Sequence, residues 1–160
     1  MKITDFSTLK DKNGFIEEFQ GEYRWLSNFM PVTIVLNGIT YPSVEHAYVS
    51  AKSNTEQWRK ECSDVNLSSA EIKVKGRGLN VENKVEVMNE LLKQKFNQEP
   101  YKSNLINTAS KYIQEGNRWN DTFWGVCLKT SLGANNLGKL IMKIRDDLQA
   151  KSLTDDQQEN

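Results

Sequence analysis

A carboxylate and an amine stand close together at Glu45 and Lys52, with His46 and Tyr48 between them. Seven positions are almost two turns of an α-helix, so a helix through both sets them on one face roughly 10 Å apart along its axis. Long side chains could close that gap around a small ligand, the carboxylate as acid or base and the amine as nucleophile or anion ligand. The same pattern suits a solvated helix face carrying one buried histidine bonded to the backbone. Three further stretches have usable chemistry. Between Gly21 and Phe29 aromatic residues alternate with polar ones. There Trp25 could stack on a heterocycle, Arg24 hold a phosphate, and Ser27 and Asn28 meet a base or sugar edge, or the stretch is a packed loop. In Lys75-Gly76-Arg77-Gly78 the glycines let a phosphate approach beside Arg77, although a helix C-cap explains the same four residues. Asp121 and Trp124 precede Gly133, Asn135 and Gly138 at the start of a last helix. The free amides of that helix favour an anion, or are capped by Asn135 or Asn136.

These residues need elements to position them. Asn37-Gly38, set between β-branched and aromatic residues in 33–41, signals a two-residue hairpin because both turn positions tolerate positive φ. Pro42-Ser43 ends the strand, and Ser43 is read as the N-cap of a helix from residue 44 to about 59. Ser68-Ser69-Ala70-Glu71 reads as a capping box for a short helix ending near Gly76, and Val81, Val85, Met88, Leu92 and Phe96 mark a longer amphipathic helix. Glu99-Pro100 opens a helical stretch carrying Leu105, Ile106 and Ala109, while Leu137, Leu140, Ile141, Ile144 and Leu148 stripe the last helix. Residues 122–128 are read as extended. With no βαβ alternation, the expected fold is mainly α (α+β): a compact helical single domain with a small antiparallel β-hairpin near its N-terminal third. That domain is expected over residues 1–150, and 151–160, too polar to pack, as a flexible tail.

Composition narrows the classes. At 160 residues, 38% hydrophobic and 26% charged, the chain fits one core and is not collagenous, wholly disordered or of low complexity. Its 21 Lys+Arg balance 21 Asp+Glu, so no overall field holds a nucleic-acid backbone non-specifically. No apolar run reaches the roughly 18 residues of a membrane span, and the polar start lacks the apolar stretch of a secretory signal. The expected setting is cytoplasmic, without a membrane partner. Cys62 and Cys127 form no CxxC and His46 is the only histidine, so no metal site is expected and the thiols are expected to be reduced. No Walker or Rossmann phosphate pattern occurs.

Taken together, several motifs resemble the NADAR family, which includes bacterial riboflavin-intermediate N-glycosidases. They are Leu26-Ser27-Asn28-Phe29; Gly38 to Tyr48 with Pro42-Ser43-Val44-Glu45-His46; Lys52; Phe123-Trp124-Gly125; and Gly133-Ala134-Asn135-Asn136-Leu137-Gly138 with Arg145. The similarity runs from about residue 18 to 148 with the motifs in the same order. It implies a compact, mostly helical fold and hydrolysis, without a cofactor, of the bond between ribose and an amine nitrogen. The substrates so implied are ribosylamino pyrimidine phosphates or ADP-ribose attached to guanine. The family's glutamate, lysine and aspartate carry over to Glu45, Lys52 and Asp121, its histidine to His46, and its loop to Gly133, Asn135, Leu137 and Gly138; Glu115 matches an acidic position. Some members carry a tryptophan ahead of the Met-containing helix. Here the chain reads Gly78-Leu79-Asn80-Val81, which leaves base stacking to Trp25, Tyr48 or Trp119.

Cleaving an N-glycosidic bond builds positive charge on the anomeric carbon and negative charge on the departing nitrogen, so a carboxylate and a proton donor are needed. The expected roles follow: Glu45 as acid or base; Lys52 as a nucleophile forming an imine with the opened sugar, or as a phosphate ligand if it stays ammonium. Asp121 would orient water or a ribose hydroxyl, and Asn135 with the last helix would hold phosphate. The expected partner is a small nucleotide-like substrate, ADP-ribosylated guanine in nucleic acid remaining open. A non-catalytic ADP-ribose or NAD-metabolite binding module, using the same aromatics and glycine loops, is the alternative.

Overall fold

The computed structural model describes residues 14–158. The polar opening segment that was read for a secretory signal lies almost wholly outside the described residues. In chain order the elements are β1 (Phe15–Ile16), a 3-10 helix (Gly21–Leu26), β2 (Ile34–Leu36), β3 (Ile39–Tyr41), α1 (Val44–Ser50), α2 (Glu56–Cys62), α3 (Ser69–Lys75), α4 (Lys84–Phe96), α5 (Tyr101–Ile106), β4 (Tyr112–Ile113), β5 (Gly116–Asn117), β6 (Val126–Cys127) and α6 (Asn136–Gln158). The fold is α+β, with helices predominating and strands confined to two-stranded ladders. The chain divides into two units, Trp25–Lys102 and a second made of the segment up to Arg24 with Ser103 onward.

In the Trp25–Lys102 unit the hairpin forms as its turn residues require. Asn37 and Gly38 take φ of 52° and 77°, reversing the chain in two residues and pairing Ile34 with Tyr41 and Leu36 with Ile39. Ser43 then caps α1, its side chain accepting from the His46 N–H. The helix expected to run on to about residue 59 is instead two helices. α1 stops at Ser50, Thr55 caps α2 by accepting from the Trp58 N–H, and the Trp58 indole N–H donates at 3.0 Å to the Val49 carbonyl, which also takes the Lys52 N–H in the turn that closes α1. The capping box at Ser68 and Glu71 is present and α3 ends on Gly76. Met88, Leu91, Leu92 and Phe96 bury the inner face of α4, while Val85, expected in that stripe, is largely exposed. Leu26, Ile34, Val44, Ala47 and Ile72 complete this unit's core.

In the other unit, α5 ends at Ile106, short of Ala109, which takes a φ of 53°. α6 runs for 23 residues, and Leu137, Ile141 and Ile144 bury its inner stripe with Ile16, Leu105 and Ile113. The stretch expected to be a flexible tail from residue 151 is helical as far as Gln158. Of residues 122–128 only Val126–Cys127 is strand, pairing in parallel with Gly116–Asn117; the residues before it form a turn. β1 and β4 make a second parallel pair, Phe15 opposite Tyr112. No helix among the described residues is long and apolar enough to cross a membrane.

Candidate active site

The expected site residues fall in both units. Trp25, Ser27, Asn28, Glu45, His46, Tyr48, Lys52 and Arg77 belong to the Trp25–Lys102 unit; Arg24, Asp121, Trp124, Gly133, Asn135 and Gly138 belong to the other.

In the first unit, Glu45 sits in the opening turn of α1, its N–H donating to the Asn28 carbonyl at 3.2 Å. Because α1 ends at Ser50, Lys52 does not extend a helical face shared with Glu45. It lies in the turn beyond the Ala51 cap, where its N–H bonds the Val49 carbonyl. The Lys52 ammonium donates to the carbonyl of Gly76 at 2.9 Å, the C-terminal end of α3 where a cation is favoured, and stands 5.8 Å from the centre of the Tyr48 ring. A side chain at Gly76 would press on Val49 and on the Lys52 ammonium. Burial pushes the Lys52 amine below its ordinary pKa, Glu45 pulls it partly back up, and Lys73 lowers it again. Carboxylate and amine are thus within electrostatic reach.

His46 is buried and fully engaged. Its Nδ1 meets Ser43 Oγ at 2.5 Å and its Nε2 meets the Leu67 carbonyl at 2.8 Å. A carbonyl only accepts, so Nε2 donates to Leu67, and with Ser43 on Nδ1 the ring is built into the packing. Ser27 and Asn28 also turn inward. The Ser27 hydroxyl accepts from the Phe29 N–H and its carbonyl from the ammonium of Lys95 at 2.7 Å. The Asn28 amide N–H2 points at Met88 sulfur, 3.6 Å away. Tyr48 is buried, Trp25 half-buried and Arg77 exposed.

In the second unit, Asp121 organises the turn ahead of β6. Its Oδ1 accepts from the N–H groups of Phe123 and Trp124 at 3.2 and 2.9 Å, and its own N–H donates to Asn117 Oδ1. The Asn117 amide joins the Glu115 carboxylate to the Asp121 carbonyl. Trp124 meets Phe123 edge to face. Asn135, expected to hold phosphate, is 2% exposed; its side chain accepts from the Glu115 N–H and donates to the Ile113 carbonyl and the Tyr112 hydroxyl. The loop glycines are spacers. A Cβ at Gly125 would strike the Glu115 carboxylate, at Gly133 the Gly125 carbonyl, and at Gly138 the Ile113 carbonyl and Asn135. Arg145 is buried too, its guanidinium donating to the Thr108 hydroxyl and the Lys111 carbonyl. Arg24 is half-buried in the 3-10 helix.

A family model for the NADAR domain matches residues 14–149. The chain belongs to the NADAR family. The N-glycosidase YbiA of Shigella boydii (serotype 4, strain Sb227) is 31% identical over 135 residues, 79% of this chain and 82% of that protein. A riboflavin biosynthesis protein of Vibrio vulnificus (strain YJ016) is 27% identical over 150 residues, 89% of this chain but 40% of that protein, so this chain spans less than half of its length. The NMR structure of YbiA from E. coli superposes with a TM-score of 0.72 at 29% identity, covering 86% of this chain and 85% of that one.

Within this NADAR domain, an open groove of about 370 Å³ runs along Asn80, Val81, Asn83, Lys84, Val85 and Glu86. It flanks the stretch where this chain lacks an aromatic and holds none of the expected site residues. Two lysines absent from the sequence reading bear on the site. Lys95 is fully buried, its ammonium 4.8 Å from the Tyr101 ring centre and 5.2 Å from that of Phe96, and it fixes the Ser27 carbonyl. Its position in the Met88-Leu91-Leu92-Lys95-Phe96 stripe was the available signal. The other is Lys73, which follows Ser69 by one turn on α3.

Proposed function

We propose that this NADAR protein is an N-glycosidase hydrolysing the bond between ribose, in ribose phosphate or ADP-ribose, and an amine nitrogen of a pyrimidine intermediate or a guanine base. The observation that carries the reading is the half-buried Lys52 amine, held on the Gly76 carbonyl at 2.9 Å beside the Tyr48 ring and in the field of Glu45, where burial makes it easier to deprotonate. The names of the relatives, an N-glycosidase and a riboflavin biosynthesis protein, point the same way. In this reading the Glu45 carboxylate takes the proton of the Lys52 ammonium and passes it to the departing nitrogen while the amine so freed bonds to the anomeric carbon and the C–N bond breaks. The sugar ring opens, its ring oxygen taking a proton, and an imine joins Lys52 to the former anomeric carbon. Water adds to that carbon with its proton passing to the Glu45 carboxylate, and the C–N bond to Lys52 breaks, returning the amine and releasing the sugar. The net change is one water consumed, one sugar and one amine released. Tyr48, buried beneath the amine, keeps its surroundings poorly hydrated.

Release of ribose 5-phosphate from a ribosylamino pyrimidine phosphate, and of ADP-ribose from its guanine adduct, tests the reading. Glu45→Gln is expected to cut turnover by roughly 10²- to 10⁴-fold, the range of positioned acid–base catalysis. Borohydride is expected to trap a sugar adduct on the wild type and none on Lys52→Ala. Binding of either compound without turnover by the wild type would assign the chain to the class of binding modules instead.

A further inference from the structure

Lys73 and Lys75 stand near the end of α3 and point to different neighbours. The Lys75 ammonium is 3.0 Å from the Glu61 carboxylate and 4.9 Å from the centre of the Trp58 ring. The Lys73 ammonium instead lies 5.8 Å from the centre of the Phe29 ring, and Phe29 follows Asn28, whose carbonyl receives the Glu45 N–H. On a helix, residues three and four apart share a face. Four residues before Lys73, the Ser69 hydroxyl donates to the Phe29 carbonyl at 3.0 Å; three residues after it, the Gly76 carbonyl holds the Lys52 ammonium at 2.9 Å. One face of α3 therefore carries, in order, the anchor of the Asn28–Phe29 loop, a cation over that loop's aromatic ring, and the anchor of Lys52. The charges that Lys52 senses are those of Glu45 and Lys73, two cations to one carboxylate in one neighbourhood.

We propose that Lys73 is a substrate-binding residue for the phosphate attached to the ribose, leaving the Lys52 amine for the anomeric carbon. The assignment rests on the N-glycosidase reading above and resolves a conflict within it. An amine that holds a phosphate is held as ammonium and has no lone pair to give. With a second cation taking the anion, Lys52 is spared that duty. Lys73 is exposed, so a phosphate reaches it while keeping part of its hydration.

The test uses the full chain and compares the wild type with Lys73→Met and Lys73→Arg on a ribosylamino pyrimidine 5′-phosphate and on the same compound without phosphate. Lys73→Met is expected to raise KM for the phosphorylated compound by roughly 10- to 100-fold more than KM for the other, the worth of a charge-assisted bond, since its effect on the Lys52 amine is common to both. Lys73→Arg is expected to recover most of the loss. An equal effect on both compounds, or none on either, overturns the assignment. If the wild type hydrolyses neither compound nor the guanine adduct of ADP-ribose, the glycosidase reading falls by itself, and calorimetric binding of ribose 5-phosphate still decides this one. Weaker binding by Lys73→Met upholds it, and unchanged binding overturns it. Weakened binding of ADP-ribose with ribose 5-phosphate unaffected would overturn it too, since the cation would then serve a diphosphate farther from the sugar.

Discussion

Lys52 is a lysine whose proton is set by its neighbours, and this makes its chemistry measurable apart from turnover. Burial lowers its pKa from the ordinary 10.5, the Glu45 carboxylate raises it, and the Lys73 ammonium lowers it, with the Tyr48 ring packed alongside. The rate at which a small anhydride acylates Lys52, followed by mass spectrometry across pH, reports the neutral fraction. It should rise with pH about a midpoint below the ordinary lysine value. Glu45→Gln removes the charge that holds the proton on and should move the rise to lower pH. Lys73→Met removes a repulsion and should move it to higher pH. Coincident curves for the three proteins would show that these charges do not govern the amine. The same depression has a consequence for stability. Between the lowered folded pKa and the ordinary value, the unfolded chain binds this proton more tightly, so Lys52 contributes a slope of stability that rises with pH through that window. Lys52→Met should flatten it in urea titrations. At this scale the residue types of the acid and the amine could be read, but the helical face that was to join them stops at Ser50, and the histidine between them, read as a substrate ligand through the resemblance, spends both ring nitrogens on Ser43 and Leu67.

At the scale of elements, what the sequence displays is local chemistry and what it conceals is where elements stop. Asn37-Gly38 and the Ser68–Glu71 box announce themselves because the residues that satisfy the backbone are the residues being read. The end of α1 does not, because 51–55 contains neither Gly nor Pro; the break is fixed by Trp58 reaching back to Val49 and by the Thr55 cap. The parallel pairs of β1 with β4 and β5 with β6 are two residues long, too short to leave a period. The Gly133–Gly138 loop was legible as an unusual segment but its purpose was not. Its asparagine bridges the start of α6 to the strand residues before β5, as the backbone N–H of Glu115, the carbonyl of Ile113 and the hydroxyl of Tyr112 all bond to it. Asn135→Ala should therefore destabilise the fold by about 2–4 kcal/mol, read as a lowered urea midpoint, because buried backbone groups lose their partners. Were Asn135 a phosphate ligand instead, the variant would keep its midpoint and lose affinity for ribose 5-phosphate.

Charge is the property that belongs to the molecule as a whole. The 21 cationic side chains are matched by 21 acidic ones, and in the Trp25–Lys102 unit Lys75 is partnered by Glu61 and Lys52 by the Gly76 carbonyl. A track along a nucleic-acid backbone needs several cations in a row, each adding about 0.7 to the slope of log affinity against log salt for a single strand. One phosphate on Lys73 gives a slope of about that size and no more. The proposed N-glycosidase has more than one candidate substrate, and salt separates a small ligand from a polymer without knowing which base departs. Guanosine carrying ADP-ribose, free and placed within a short single-stranded oligonucleotide, should give KM values that rise with salt along the same shallow slope, the oligonucleotide gaining nothing from its extra phosphates. A slope for the oligonucleotide steeper by two or more contacts would mean that the protein grips the strand beyond the modified base.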